Sequence, residues 1–134
     1  MKNRYFFRAV GIGSGKWEQG AIAHDCTGYY VIRTTNGETV KTQVDERTIS
    51  QCTGLKDMTG TLIYEGDIIR EVYNTPSGNA IVYTERVVWS KDDSGWTLTD
   101  DSNGNTVTLT PSLAGEVSIA GNIHDNPELQ CGRG

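Results

Sequence analysis

Thr53-Gly54-Leu55-Lys56-Asp57-Met58-Thr59-Gly60-Thr61-Leu62-Ile63-Tyr64-Glu65-Gly66-Asp67-Ile68-Ile69 never stays apolar or polar long enough to carry a helix. Asp57 to Gly60 reads as a type I turn closed by glycine, with the Asp57 side chain free to accept from the turn's own amides. Thr61 to Ile63 reads as a short strand, Glu65-Gly66 as a second turn, and Asp67 to Tyr73 as the start of a longer strand. The same alternation extends in both directions. Upstream, Tyr5 to Val10, Gly20 to His24, Tyr29 to Thr34, Thr39 to Val44 and Thr48 to Cys52 read as strands. Asn36-Gly37 is a two-residue hairpin signal, because both positions tolerate positive φ. Asp45-Glu46-Arg47 is a polar connection of about one helical turn. Downstream, Ala80 to Trp89 pairs with Asp67 to Tyr73 across Asn74 to Asn79. Turns at Asp92 to Gly95 and Ser102 to Gly104 flank Trp96 to Thr99. Thr106 to Leu109 turns Val107 and Leu109 inward, Pro111 to Gly115 is a short helical turn, and Val117 and Ile119 lie on a last strand. The expectation is an all-β chain with at most short helical turns. Its turn spacing suits a small barrel or sandwich, with a soft boundary near Asp45 to Thr53.

The chain has 134 residues, a net charge of −5, sixteen glycines and only three prolines. That length is enough to bury a core without disulfide staples. Cys26, Cys52 and Cys131 are odd in number and form no CxxC pair, which argues against a zinc knuckle or a dithiol redox site and for reduced thiols. No apolar run is long enough to span a bilayer and no apolar signal region follows Met1, so the expected compartment is the cytoplasm, with no membrane partner. The net acidity argues against a dedicated nucleic-acid binder. Charge is nonetheless segregated. Lys2, Arg4, Arg8 and Lys16 precede the first acid, Glu18, whereas the stretch beyond Ser90 is mostly acidic.

A second segment, Gly121-Asn122-Ile123-His124-Asp125-Asn126-Pro127-Glu128-Leu129, completes a pattern with the first. Together they resemble the YopX family of phage and prophage proteins. Val44, Thr48, Ile49, Gln51 and Thr53 resemble its lead-in, Phe7-Arg8-Ala9 its start, and Trp17 with Gly20 its second strand. Tyr73 to Thr106 matches only weakly. The resemblance implies a β-rich N-terminal unit, 1–52, followed by an SH3-like small barrel, 53–134, the two packed as one globule. It implies no chemistry. The motif residues Thr53, Gly54, Leu55, Asp57, Gly60, Tyr64, Glu65, Gly66, Asp67, Gly121, Asn122, Ile123, Asn126 and Pro127 read as structural: glycines where backbones turn or approach closely, and Pro127 preset at the start of a terminal turn.

Catalytic constellations are mostly missing. Gly11-Ile12-Gly13-Ser14-Gly15-Lys16 has three residues between its outer glycines where a phosphate loop needs four, and Trp17 stands where Ser or Thr would bind magnesium. His24 and Cys26 alternate by two but border a turn, which disfavours a thiol–imidazole pair. Glu65 with Asp67, Asp92 with Asp93 and Asp100 with Asp101 read as turn carboxylates rather than an acid–base pair. Of Tyr29 and Tyr30 one should face outward. Tyr64, Tyr73, Tyr83, Trp89 and Trp96 lie on or near the later strands, and most of these rings are expected in the core. No catalytic, cofactor or metal residue is assigned. The expected function is a phage or prophage accessory protein acting by protein–protein contact, without enzymatic activity. Its partner would be a host or phage protein or a second copy of itself in a homo-oligomer. Nucleic-acid binding through the barrel is the alternative, and an enzyme acting on a small metabolite the third reading.

Overall fold

The computed structural model describes residues 6–129. The fold is all-β: 57% of it is strand and 8% helix, in two antiparallel sheets. The chain divides into two compact units, Met1–Gly54 and Leu55–Gly134.

In the first unit, β1 (Phe7–Val10), β2 (Trp17–Asp25), β3 (Gly28–Thr35), β4 (Glu38–Val44) and the start of β5 (Ser50–Lys56) are ordered β4-β3-β2-β1-β5. The Asn36-Gly37 turn joins β3 to β4 with both residues at positive φ, 53° and 79°, and Thr35 opposite Glu38. This is the backbone that lets a two-residue loop follow the strand twist. Ala9, Val31 and Val44 form the core, with Ile22, Tyr29 and Ile49 packed on it. Tyr29 is therefore the inward member of its pair, while the Tyr30 ring lies 4.2 Å from the Lys41 ammonium. The polar link at Asp45 is one 3-10 turn, Glu46–Thr48, capped by the Asp45 carboxylate accepting from Arg47 N–H. Gly11 to Lys16 is the β1–β2 connection, held by Gly11 N–H to Lys16 O and Gly15 N–H to Gly11 O, both 2.9 Å.

The second unit contains β6 (Leu62–Tyr64), β7 (Asp67–Asn74), β8 (Ala80–Ser90), β9 (Gly95–Thr99), β10 (Thr106–Thr108), α1 (Pro111–Ala114) and β11 (Ser118–Asn122). One sheet runs β10-β9-β8-β7-β11. Its core is Ile63, Ile69, Val87, Leu98, Leu109, Ala114 and Val117, supported by Leu55, Trp96, Leu113 and Ile119. Helix α1 starts where Thr110 Oγ1 accepts from Leu113 N–H at 3.1 Å and Pro111 takes the first turn. That cap and Pro placement are the usual start signals of a helix.

Two expectations are corrected. Val107 is 44% exposed, whereas Leu109 is buried. Val107 lies opposite Leu98 and so faces the expected side, but β10 ends the sheet order and nothing covers its outer flank among the described residues. Nor are most of the late aromatics core. Tyr64 is buried and Trp96 partly so, but Tyr73, Tyr83 and Trp89 are 50%, 42% and 47% exposed. The first strand was expected from Tyr5 and begins at Phe7; Tyr5, Lys2, Arg4, Cys131 and Arg133 lie outside the described residues.

Candidate functional site

The two motif segments meet in the second unit. Asp57 Oδ1 accepts from Thr59 N–H, Thr59 Oγ1 and Thr61 N–H at 2.9, 2.7 and 3.0 Å, and Oδ2 accepts from Ile119 N–H at 3.1 Å. Gly60 closes that turn at φ 87°, its N–H donating to Asp57 O. After Glu65, Gly66 takes φ 85°, its N–H donates to Val87 O, and its carbonyl accepts from Ile123 N–H. Asp67 is buried, and its Oδ2 accepts from Tyr64 N–H at 2.8 Å. Asn122 stands opposite Asp67 in the β7–β11 register, and its Oδ1 accepts from His124 N–H and Asp125 N–H, both at 2.9 Å. Asn126 Oδ1 in turn accepts from Asn122 N–H at 3.3 Å, ahead of a 3-10 turn over Pro127–Leu129. Leu55 packs on the core, Thr53 is buried, and Gly54 sits at φ 82°. The Asp57, Asp67, Asn122 and Asn126 side chains are thus spent on backbone amides.

Gly121 is more tightly enclosed than Gly60 or Gly66. A Cβ there would overlap Asn126 Oδ1, the acceptor for Asn122 N–H. Gly121→Ala is expected to destabilise the protein by about 1–2 kcal/mol, read from the shift of its urea midpoint at unchanged slope.

The other candidates are scattered. The His24 ring packs on that of Tyr29 at 5.2 Å, while Cys26 is exposed beyond β2 and Cys52 is buried. Asp93 is engaged with Ser90, and Asp101 pairs with Arg86 at 2.9 Å. Among the described residues no group of three His, Cys, Asp or Glu side chains is placed to hold a metal ion, and no helix is long and apolar enough to cross a membrane.

Among the described residues, five of the nine exposed large hydrophobics lie together on the β7–β8 hairpin. β7 pairs with β11 only over Asp67 to Arg70, and β8 pairs with β9 only over Arg86 to Ser90. Beyond these points the two strands pair only with each other among the described residues, from Glu71 opposite Tyr83 to Asn74 opposite Ala80. This ribbon carries Val72, Tyr73, Ile81, Val82 and Tyr83, all 42–53% exposed. One face presents Val72 and Val82. The other continues from the core residues Ile69 and Val87 and presents Glu71, Glu85, Tyr73, Tyr83 and Ile81, since side chains alternate and opposite residues share a face. Tyr73 and Tyr83 meet edge to face at 5.6 Å, and Tyr73 OH donates to Glu71 Oε1 at 3.0 Å.

At the root of that second face is a cavity of about 190 Å³ lined by Glu71, Tyr73, Tyr83, Glu85, Asp100 and asparagines 103 and 105. Glu85 Oε1 is buried there and meets no N–H or hydroxyl donor among the described residues. Burial, then a hydrogen bond to Glu71 and the charges of Glu71 and Asp100, push the Glu85 carboxyl up to about 8. Carboxyls this close do not all ionise at neutral pH. Larger cavities of about 670 and 530 Å³ lie in the first unit, but they hold no comparable cluster; in the first of them Arg47 is already paired with Asp45 at 2.8 Å. Sequence reasoning missed Glu71 with Glu85. The signal was present in the hairpin register, because folding Asn74 onto Ala80 makes these two acids diagonal neighbours on one face.

Comparison with known proteins bears on the whole chain. No curated protein matches it. Among solved structures, protein EF1440 from Enterococcus faecalis is similar, with a TM-score of 0.56 and 23% identity, over 92% of this chain and 96% of that one. That likeness is one of fold. The family profile described as YopX protein matches residues 15–130. Most of the sequence, including both motif segments and the strands they join, is thus accounted for by one family, and the chain belongs to the YopX family.

Proposed function

We propose that this protein is a phage- or prophage-encoded accessory protein that works by protein–protein contact, without enzymatic activity, and that the β7–β8 ribbon is its docking element. What carries the reading is the ribbon's exposure. Five large apolar side chains stand uncovered on both faces of a ribbon, Glu71 to Asn74 with Ala80 to Tyr83, that pairs with no further strand among the described residues. A two-stranded ribbon is only marginally stable in water, and clustered apolar exposure of this kind marks binding surfaces. Strand edges without charged residues, as over Ala80 to Thr84, also invite pairing with another chain. The exposed rings would equally serve to stack bases, but the carboxyl cluster beside them repels phosphate.

The test is capture by tagged protein from bacterial host lysate, with and without nuclease, comparing wild type with Val82→Asp/Tyr83→Ser. A nuclease-resistant partner retained by wild type and reduced at least tenfold by the double variant is the expected result. Capture unaffected by the variant overturns the ribbon's role, and capture lost to nuclease moves nucleic acid to first place. Both substituted side chains are exposed, so the melting temperature should stay within a few degrees of wild type.

A further inference from the structure

We propose that Asn36, at the tip of the β3–β4 hairpin, is a site of spontaneous covalent modification. Its side-chain amide cyclises onto the Gly37 backbone nitrogen and then hydrolyses to aspartate or isoaspartate. The chain's other Asn-Gly step, Asn103-Gly104, is held back by its hydrogen bonds.

Cyclisation needs a carboxamide free to move, a following residue without a side chain to block the approach, and a backbone N–H free to lose its proton. Both Asn-Gly steps meet the second condition, and both lie on exposed turns. They differ in the other two. Among the described residues the Asn36 carboxamide makes no hydrogen bond and the Gly37 N–H has no acceptor, because the two-residue loop closes through the Thr35–Glu38 pair that flanks it. A Cβ built on Gly37 would meet nothing within 4 Å, so no neighbouring group crowds the turn. With Asn36 at φ 53°, the closed turn must relax before the carboxamide reaches the Gly37 nitrogen. β4 ends the sheet order, and the tip of an edge hairpin opens without disturbing a core.

At Asn103 both reacting groups are engaged. Gly104 N–H donates to Asp100 O at 2.7 Å, which holds the proton the nucleophile has to lose. Asn103 Oδ1 accepts from Asn105 N–H at 2.8 Å, and its Nδ2 donates to Asp100 Oδ2 at 3.4 Å. The carboxamide is therefore held at both ends.

In the reaction the deprotonated Gly37 nitrogen attacks Asn36 Cγ. A C–N bond forms, the Cγ–Nδ2 bond breaks, and the amide leaves as ammonia, taking up a proton. Water then opens the cyclic imide at either carbonyl, and no electrons are gained or lost. Opening at one carbonyl leaves an aspartate at position 36, which suits the same turn. Opening at the other routes the backbone through the side chain as isoaspartate, adding one carbon to the loop. Both products add a negative charge to the chain's −5. The longer loop no longer closes Thr35 onto Glu38, so β4 loosens from that end.

The experiment incubates the full chain at pH 8.5 and 37 °C, folded and in concentrated urea. Samples are digested at mildly acidic pH, and the mass gain of replacing NH₂ by OH is followed at each asparagine by liquid chromatography and mass spectrometry. In the folded chain Asn36 is expected to convert at least tenfold faster than Asn103; in urea the two rates should agree within about twofold. Equal or faster conversion of Asn103 in the folded protein, no conversion at Asn36, or a difference that persists in urea would each overturn the inference. The isoaspartate fraction, separated by chromatography, should exchange the amides of Thr39 to Lys41 faster than fresh protein. Unchanged exchange there would overturn the loosening of β4.

Discussion

Asp57→Ala is expected to destabilise the protein by about 3 kcal/mol, the largest loss from any single motif residue. Its carboxylate is the acceptor for the amides of Thr59, Thr61 and Ile119, the last 62 residues away in sequence. Thr59 and Thr61 are exposed and their amides can turn to water, but that of Ile119 lies within the packed β11 and loses its acceptor outright. Leaving such groups unsatisfied costs roughly 1–3 kcal/mol each, less where water returns. Asp57→Asn should fall between wild type and Ala, because it keeps the acceptor at Oδ1 but can set a donor against Ile119 N–H. The effect also has a pH signature. Burial alone would raise the Asp57 carboxyl; the hydrogen bonds from Thr59, Thr61 and Ile119 outweigh it and hold the carboxyl below its usual 3.8. A depressed acid contributes fully above its unfolded value and loses that contribution as pH falls through its folded value. Urea titrations of wild type and both variants at pH 7 and at pH 3 should show the gap between them narrowing at pH 3.

Glu85 behaves in the opposite sense. Its carboxyl is raised from 4.5 to about 8, so the folded protein binds a proton that the unfolded chain has released. That contribution is fully present below pH 4.5 and is lost as pH rises to about 8. Wild type should therefore lose about 2 kcal/mol across this window, under half of what about 1.4 kcal/mol per pH unit would give, because water reaches the half-buried pair and screens it. Glu85→Gln keeps the shape, removes the titration and should flatten the profile, leaving the variant more stable than wild type at pH 8. Melting temperatures at half-unit pH steps from 4.5 to 8.5 measure both curves. Parallel curves for the two proteins would mean that Glu85 titrates normally.

What could be read from the sequence was whatever local backbone chemistry decides. Asn36-Gly37, Gly60 and Gly66 announce their turns because few other residues adopt those dihedrals. Once the turns are placed, alternation supplies the strands, which is why the β7–β8 pair was legible end to end. That the chain after β10 folds back onto the first motif segment was not legible, since no local rule brings Ile119 to Asp57. Exposure was not legible. Tyr73, Tyr83 and Val107 face the side that alternation assigns them, but whether that side is covered depends on where neighbouring strands stop. β9 and β11 end short of the ribbon, a fact about partners distant in sequence. The carboxyl cluster escaped for a related reason. Acids adjacent in sequence were weighed as pairs, whereas a sheet makes neighbours of diagonal residues on separate strands.

The late arrival of β11 has a consequence for synthesis. The amide that anchors on Asp57 is 62 residues downstream, so at a ribosomal rate of 5–20 residues per second the acceptor waits roughly 3–12 s for its donor. In the later part of that interval the outer edge of β7 from Asp67 to Arg70 has no strand beside it, although the apolar ribbon has been made. A growing chain therefore presents more unpaired edge than the finished one, beside tyrosines that are exposed in both. Slowing translation downstream of Asn79 should raise the fraction lost to aggregation or proteolysis, even though the released protein is unchanged.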